Sequence, residues 1–242
     1  MLPAGLVVAF LVGVLPALLW LTFWLLEDRL HPEPKRYIFF CFVAGMILVI
    51  PFNIGGQLFG IVLPLEKLAL AHFSGFSLLL SWAIIEELAK FAAAYVVALR
   101  SRVFDEPLDA IIYMVTVALG FSAAENALFL LSPIMAGDVL KTIMVGDLRF
   151  IGATLLHTLS SGIIGIALAY AYYRSFSTKI YAACLGVILA VVLHTLFNFF
   201  ILKTGSAATF WIFLVVWLGI TAILLGIERI KKPAPAYSIR NT

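Results

Sequence analysis

Apolar runs long enough to cross a bilayer recur from one end of the chain to the other, and this limits the fold before any other feature does. The first, LVVAFLVGVLPALLWLTFWLL at residues 6–26, is followed by others separated only by short charged breaks. Of the 242 residues, 64% are hydrophobic and 12% charged, where a soluble domain carries roughly 25% charge. The chain is therefore read as an all-α, polytopic transmembrane helical bundle. The first run lacks a basic leader and is too long for a signal-peptide core, so it is expected to remain as a span. About seven spans are predicted, near 2–26, 37–63, 74–99, 110–132, 149–172, 180–202 and 207–227, with an eighth possible. They make one helical domain over 1–228, followed by a short basic tail over 229–242.

Eleven Lys and Arg residues fall on one side of this arrangement and four on the other: Lys67, Lys141, Arg149 and Lys203. The excess places the N-terminus outside and the C-terminus in the cytoplasm. The basic tail then faces anionic headgroups, and nothing resembles a nucleic-acid module. Asp28, Glu33, Asp105, Glu106 and Asp109 read as solvated cytoplasmic charges, and His31 and His72 as incidental. Cys41 and Cys184 lie in apolar runs and read as buried thiols without disulfide or zinc-finger spacing.

Two interruptions stand out. IPFNIGGQ breaks the second span, where Pro51 and Gly55–Gly56 should kink or partly unwind it. Asn53 and Gln57, one turn apart, are expected to make a contact between helices. The segment SPIMAGDVLKTIMVGD (132–147) reads as a long outward connection, either a plain loop or an interfacial helix gating substrate entry. The kinked second span is another candidate gate.

Four spans bury ionisable groups. The third carries Glu86, Glu87 and Lys90, the fourth Glu125 beside Asn126, the fifth His157, and the sixth His194 with Asn198 one turn on. Mid-membrane charge costs about 2.5–3.5 kcal/mol per group on insertion scales, so such residues point to function. Counting from the cytoplasmic end of each span, Glu86, Glu125, His157 and His194 all lie ~20–22 Å deep. They share one level, nearer the outer face, which predicts a single site. Glu86 and Lys90 share a helix face at i, i+4, while Glu87 points elsewhere. Ala153, His157, Ser161 and Gly165 form a small-residue stripe that lets another helix approach the imidazole, and Gly120 and Ala124 do the same before Glu125.

These residues also form recognisable motifs. EELAK fits EExxK, FSAAEN fits FxxxEN, HTLSSG fits HxxxSG and HTLFN fits HxxxN, in that order on four helices. The set resembles the PrsW family of intramembrane proteases, within the wider group of CAAX prenyl endopeptidases and bacteriocin-processing enzymes. HPEPKR resembles the Glu-Pro segment that this family carries after its first helix, so the resemblance spans residues 31–198. In the wider group the second motif is usually FxxxH; here that position is Glu125, so its imidazole role passes to another residue, with His157 the candidate.

The resemblance implies hydrolysis of a peptide bond in a single-span membrane protein or peptide. It implies an anti-sigma-factor-like substrate cut on the extracytoplasmic side, in a cell membrane of bacterial or archaeal type. Hydrolysis needs an activated water, an oxyanion donor and a proton for the leaving amine. Glu86 or Glu87 is expected to activate water, with Lys90 tuning their ionisation and His194 and Asn198 steadying the oxyanion. Two versions stay open. Either Glu86, Glu125, His157 and His194 supply the ligands of a Zn²⁺, or a glutamate acts alone as base. A proton- or ion-coupled transporter and a non-catalytic scaffold are the competing classes. The first predicts polar groups strung across the membrane, the second tolerance of Glu→Gln changes.

Overall fold

The computed structural model describes residues 4–28, 31–49, 52–54, 57–59, 62–203 and 206–231. Helix α5 (Pro107–Met135) is the hub, and its start is encoded locally. Pro107 occupies the first turn, where its missing N–H costs nothing. Asp109 Oδ2 accepts the backbone N–H groups of Asp105 and Glu106, each at 2.8 Å, completing a capping box with Glu106. Every residue from Leu108 to Ala124 is buried. A helix apolar on all sides can only sit inside others. Here α1 (Ala4–Glu27), α2 (Lys35–Val49) and α7 (Thr154–Tyr170) enclose it. Helices α8 (Phe176–Lys203) and α9 (Ser206–Lys231) pack on α7, and α4 (Gly75–Ala94) packs on α8.

Two glycines set how closely α2 meets α5. A Cβ at Gly45 would collide with the Val117 carbonyl, and one at Gly120 with the Phe42 carbonyl. The expected small-residue approach before Glu125 is thus a backbone-to-backbone crossing. The stripe on α7 works likewise, since a Cβ at Gly165 would stand 2.7 Å from Ile111 Cα.

Among the described residues, five helical segments are long and apolar enough to cross a membrane: α1, α5, α8, α9 and the continuous run Val139–Tyr170. Helix α4 carries three charges, but with a π-helical extension over Tyr95–Leu99 it reaches 25 residues. Helix α2 has 15 residues, roughly 22 Å, which is shorter than a ~30 Å hydrocarbon core.

Several expectations need correcting. The second span does not run to residue 63 as a kinked helix. It stops at Val49, two residues before Pro51, whose ring disfavours helix at the residue preceding it. A short antiparallel hairpin follows, β1 (Phe52–Ile54) with β2 (Gln57–Phe59), and then α3 (Val62–His72). Asn53 and Gln57 belong to the hairpin, and their side chains lie outside the described residues. Of the two readings of 132–147, the plain loop falls away and a helix is present. Helix α5 extends to Met135, Gly137 turns the chain at φ +69°, and α6 (Val139–Leu148) runs through a π-helical turn, Arg149–Ala153, into α7. Cys41 is buried, whereas Cys184 is exposed on the bundle's apolar surface.

Three of the supposedly solvated acids are buried instead: Asp28, Glu33 and Asp109. Glu33 N–H donates to Asp28 Oδ2 at 3.2 Å, and Tyr113 Oη–H donates to the Glu33 carboxyl, which lies near the Asp109 carboxylate. The segment after α1 is thereby pinned to the start of α5. Burial, reinforced by the Asp109 carboxylate, pushes the Glu33 carboxyl up to about 9 and, with less reinforcement, that of Asp28 to about 6.

Candidate active site

The helix periodicity of α4 sends Glu86, Glu87 and Lys90 inward together, and all three are buried. Lys90 is nearer Glu87 (2.7 Å, i, i+3) than Glu86 (3.5 Å, i, i+4), so the ammonium does not choose the carboxylate expected from spacing. Its Nζ also donates to His157 Nδ1 at 2.8 Å and lies 4.4 Å from the centre of the Phe121 ring.

Glu87 is completely enclosed. Its Oε1 accepts from Lys90 Nζ, from His194 Nδ1–H at 2.8 Å and from Ser160 Oγ–H at 3.1 Å. On the far side, His157 Nε2–H donates to Glu125 Oε2 at 2.9 Å. That oxygen also accepts from Arg149, so Glu125 is tied to the turn that opens α7.

These bonds fix both imidazole tautomers. His157 carries its proton on Nε2, facing Glu125, and His194 carries its proton on Nδ1, facing Glu87. The remaining nitrogens, His157 Nδ1 and His194 Nε2, each stand 3.9 Å from the same atom, Glu86 Oε2. Two imidazoles, each backed by a carboxylate and converging on a third carboxylate, form the outer-shell pattern that orients histidine ligands at metal sites.

The residues fit a divalent metal by their own chemistry. One donor atom each from Glu86, Glu87, His157 and His194 falls within a 4.8 Å group. Glu86 Oε2 and Glu87 Oε2 are buried without a hydrogen-bond partner, a costly state for a carboxylate oxygen. Donors around a four-coordinate zinc stand roughly 3.4 Å apart, about half an ångström closer than the two 3.9 Å distances from the imidazoles to Glu86 Oε2.

A cavity of about 680 Å³ is lined both by this cluster and by Phe129, Arg149, Leu202 and Thr209. Glu86, Glu125, His157, His194 and Asn198 line it, while Glu87 and Lys90 do not. All seven residues predicted from sequence therefore come together, five on the cavity wall and two behind it.

Sequence reasoning missed two groups. Glu66 of α3 lines the cavity with Glu86; its signal was a lone acid in an apolar run after the Pro-Gly break. Arg149, counted as a loop charge, also lines the cavity; its signal was its place at the mouth of the span carrying His157.

Acid and imidazole groups held at the base of a cavity, inside a bundle of bilayer-length apolar helices, define an intramembrane hydrolase. A family model described as PrsW family intramembrane metalloprotease matches residues 33–224. The chain belongs to this family and is an integral membrane peptidase. It is 32% identical to Protease PrsW of Geobacillus kaustophilus over 120 residues, 50% of this chain and 51% of that protein. It is 26% identical to Protease PrsW of Bacillus subtilis over 220 residues, 91% of this chain and 93% of the relative. The match to Protease PrsW of Shouchella clausii is 23% over 222 residues, 92% and 95% of the two chains. No solved structure matches.

Proposed function

We propose that the protein cuts single-span membrane proteins of the anti-sigma-factor kind at a peptide bond near the extracytoplasmic face, with Glu86 at the centre of water activation. The observation that carries this is the convergence of His157 Nδ1 and His194 Nε2 on Glu86 Oε2 at the cavity base. Glu87 cannot fill that role, because it lies behind the cavity wall with one oxygen committed to three donors.

Glu86, His157 and His194 would hold a divalent metal, zinc by the donor set. It would supply a bound water acidified to near neutral pH. Glu125 and Glu87 each hold an imidazole proton, at His157 Nε2 and His194 Nδ1, and so keep the opposite nitrogens unprotonated. Asn198, one turn beyond His194 on the cavity wall, is positioned to donate to the developing oxyanion. Lys90 neutralises Glu87 and keeps the buried pair of acids from repelling. The apolar wall of Leu79, Phe121, Leu156 and Phe197 suits an unwound stretch of transmembrane segment and limits competing water.

In this reading α1, α2, α4, α5, α7, α8 and α9 are the seven spans, with the N-terminus outside. The cavity mouth, beside Arg149 and Leu202, then faces outward, which supports an extracytoplasmic cut.

One experiment tests the reading. Purified protein in detergent is given single-span candidate substrates, comparing wild type with Glu86→Gln, each with and without chelator. Cleavage lost in a folded Glu86→Gln supports it, and chelator inhibition reversed by Zn²⁺ supports the metal. Inhibition absent under exhaustive chelation would return the chemistry to Glu86 as an unaided base. Wild-type rates in Glu86→Gln would sink the proposal.

A further inference from the structure

The π-helical turn Arg149–Ala153 interrupts an otherwise continuous helix just where it meets the cavity. Turns of this kind insert a residue and re-aim side chains, and they recur at functional sites. Here the re-aimed side chain is Arg149. Its Nε donates to Asn126 Oδ1 at 2.5 Å, its terminal nitrogen donates to Glu125 Oε2, and its guanidinium lies 4.0 Å from the centre of the Phe129 ring. The carboxylate oxygen that takes the arginine is the same one that takes His157 Nε2–H.

Asn126 is itself fixed. Its Nδ2 donates to Thr154 Oγ1 at 3.1 Å and Ser122 Oγ at 3.4 Å, and Ser122 Oγ donates to Thr154 Oγ1 at 3.0 Å. Its carbonyl oxygen is therefore presented to Arg149 and its amide nitrogen is not. This polar lock joins α5 to the first residue of α7, one turn before His157. Among the described residues Glu125 has no other cation so placed, since Lys90 is spent on Glu87 and His157 Nδ1.

We propose that Arg149 is a positioning residue of the site. Clamped to Asn126 and stacked on Phe129, it holds the Glu125 carboxylate where it keeps the His157 proton on Nε2 and Nδ1 aimed at Glu86. This rests on the protease reading above and adds a residue that the four motifs do not contain. A planar fork that bonds two acceptors while lying on a ring is a geometry that lysine does not reproduce.

The test uses the full-length protein with ¹⁵N-labelled histidine, which is tractable because the chain has four histidines. Arg149→Met, Arg149→Lys, Glu125→Gln and Arg149→Met with Glu125→Gln are compared for His157 ring ¹⁵N shifts, Zn²⁺ affinity against a chromophoric chelator, and kcat and KM. The wild type is expected to show the Nε2–H tautomer at His157. Arg149→Met is expected to mix the tautomers and weaken Zn²⁺ binding or kcat by about 10- to 100-fold, with KM within about threefold. Arg149→Lys is expected to recover part of the loss, and the double variant to be no worse than Glu125→Gln.

Unchanged His157 shifts with unchanged Zn²⁺ affinity would overturn the proposal. So would losses that add in the double variant, or an Arg149→Met protein that fails to fold and is matched in that by Arg149→Lys, since Arg149 would then serve the fold. The ¹⁵N spectrum needs no substrate. A wild type that cleaves nothing counts against the protease reading and leaves this test standing.

Discussion

Lys90 Nζ donates to His157 Nδ1 across 2.8 Å, joining α4 to α7 through the ring nitrogen that also faces Glu86. A metal that takes this nitrogen must displace the ammonium. Lys90 is thus the cation that the cluster itself supplies, held between Glu87 and His157 over the face of Phe121.

Replacing that cation should cost stability most when no metal is bound. Lys90→Met leaves Glu87, fully buried, without its counter-charge. Breaking a buried pair from one side costs about 3–5 kcal/mol. In chelator, thermal unfolding of Lys90→Met in detergent is expected well below that of the wild type, with added Zn²⁺ recovering part of the gap. An identical gap with and without Zn²⁺ would show that ammonium and metal do not share the site.

The two adjacent glutamates should separate by phenotype. Glu86 Oε2 has no hydrogen-bond partner, so Glu86→Gln removes little that holds the fold. Cleavage should fall by at least about 10²- to 10⁴-fold, the usual range for a lost acid–base group, with the melting temperature nearly unchanged. Glu87→Gln should lose melting temperature as well, because a neutral amide replaces the charge facing Lys90. If both variants melt like the wild type, the division between cavity-facing and enclosing carboxylate is wrong.

Depth arithmetic along straight helices could place Glu86, Glu125, His157 and His194 at one level, because a helix's rise is fixed whatever packs around it. Rotation about the helix axis could not be read the same way. Hence Lys90 was matched with Glu86, when the geometry around His157 draws it to Glu87. The length of α6 and the break after Val49 depend on local backbone choices that an apolar run hides. Glu33 and Asp109 read as surface charges because each is acidic and close to a predicted span end. Only the packing of α2 on α5 reveals that they face one another. Arg149 escaped for a related reason: a charge at a span boundary is usually solvated, and only the π-helical turn carries this one inward.

The α2–α5 crossing offers a test far from the chemistry. Gly45 faces the Val117 carbonyl and Gly120 the Phe42 carbonyl, so in each case a methyl group meets rigid backbone rather than a mobile side chain. Gly120→Ala is expected to cost about 1–3 kcal/mol, as overpacking typically does. It should also slow cleavage, because Glu125 lies five residues further along the same helix. Gly137→Ala, at a turn with open space around it, should leave cleavage intact while straining only its positive φ. Equal activity in Gly120→Ala and the wild type would show that α5 can shift without moving Glu125.

The buried acid pair at the other end of α5 predicts how stability depends on pH. Glu33 titrates at 4.5 in an unfolded chain and at about 9 in the folded one. Between those values the folded protein keeps a proton that the unfolded chain has released. Stability must therefore fall as pH rises through this window and level off above it. Asp28, raised from 3.8 to about 6, adds slope only at the acidic end. Between pH 6 and 9 Glu33 therefore contributes a decline in stability, with burial the main cause that makes its ionisation unfavourable and Asp109 adding to it. Glu33→Gln can still accept from Tyr113 but has no proton to lose. Its melting temperature should fall less steeply over that range than that of the wild type and exceed it at the alkaline end. A wild type with the same slope as Glu33→Gln from pH 6 to 9 would mean that Glu33 is already ionised in the folded protein.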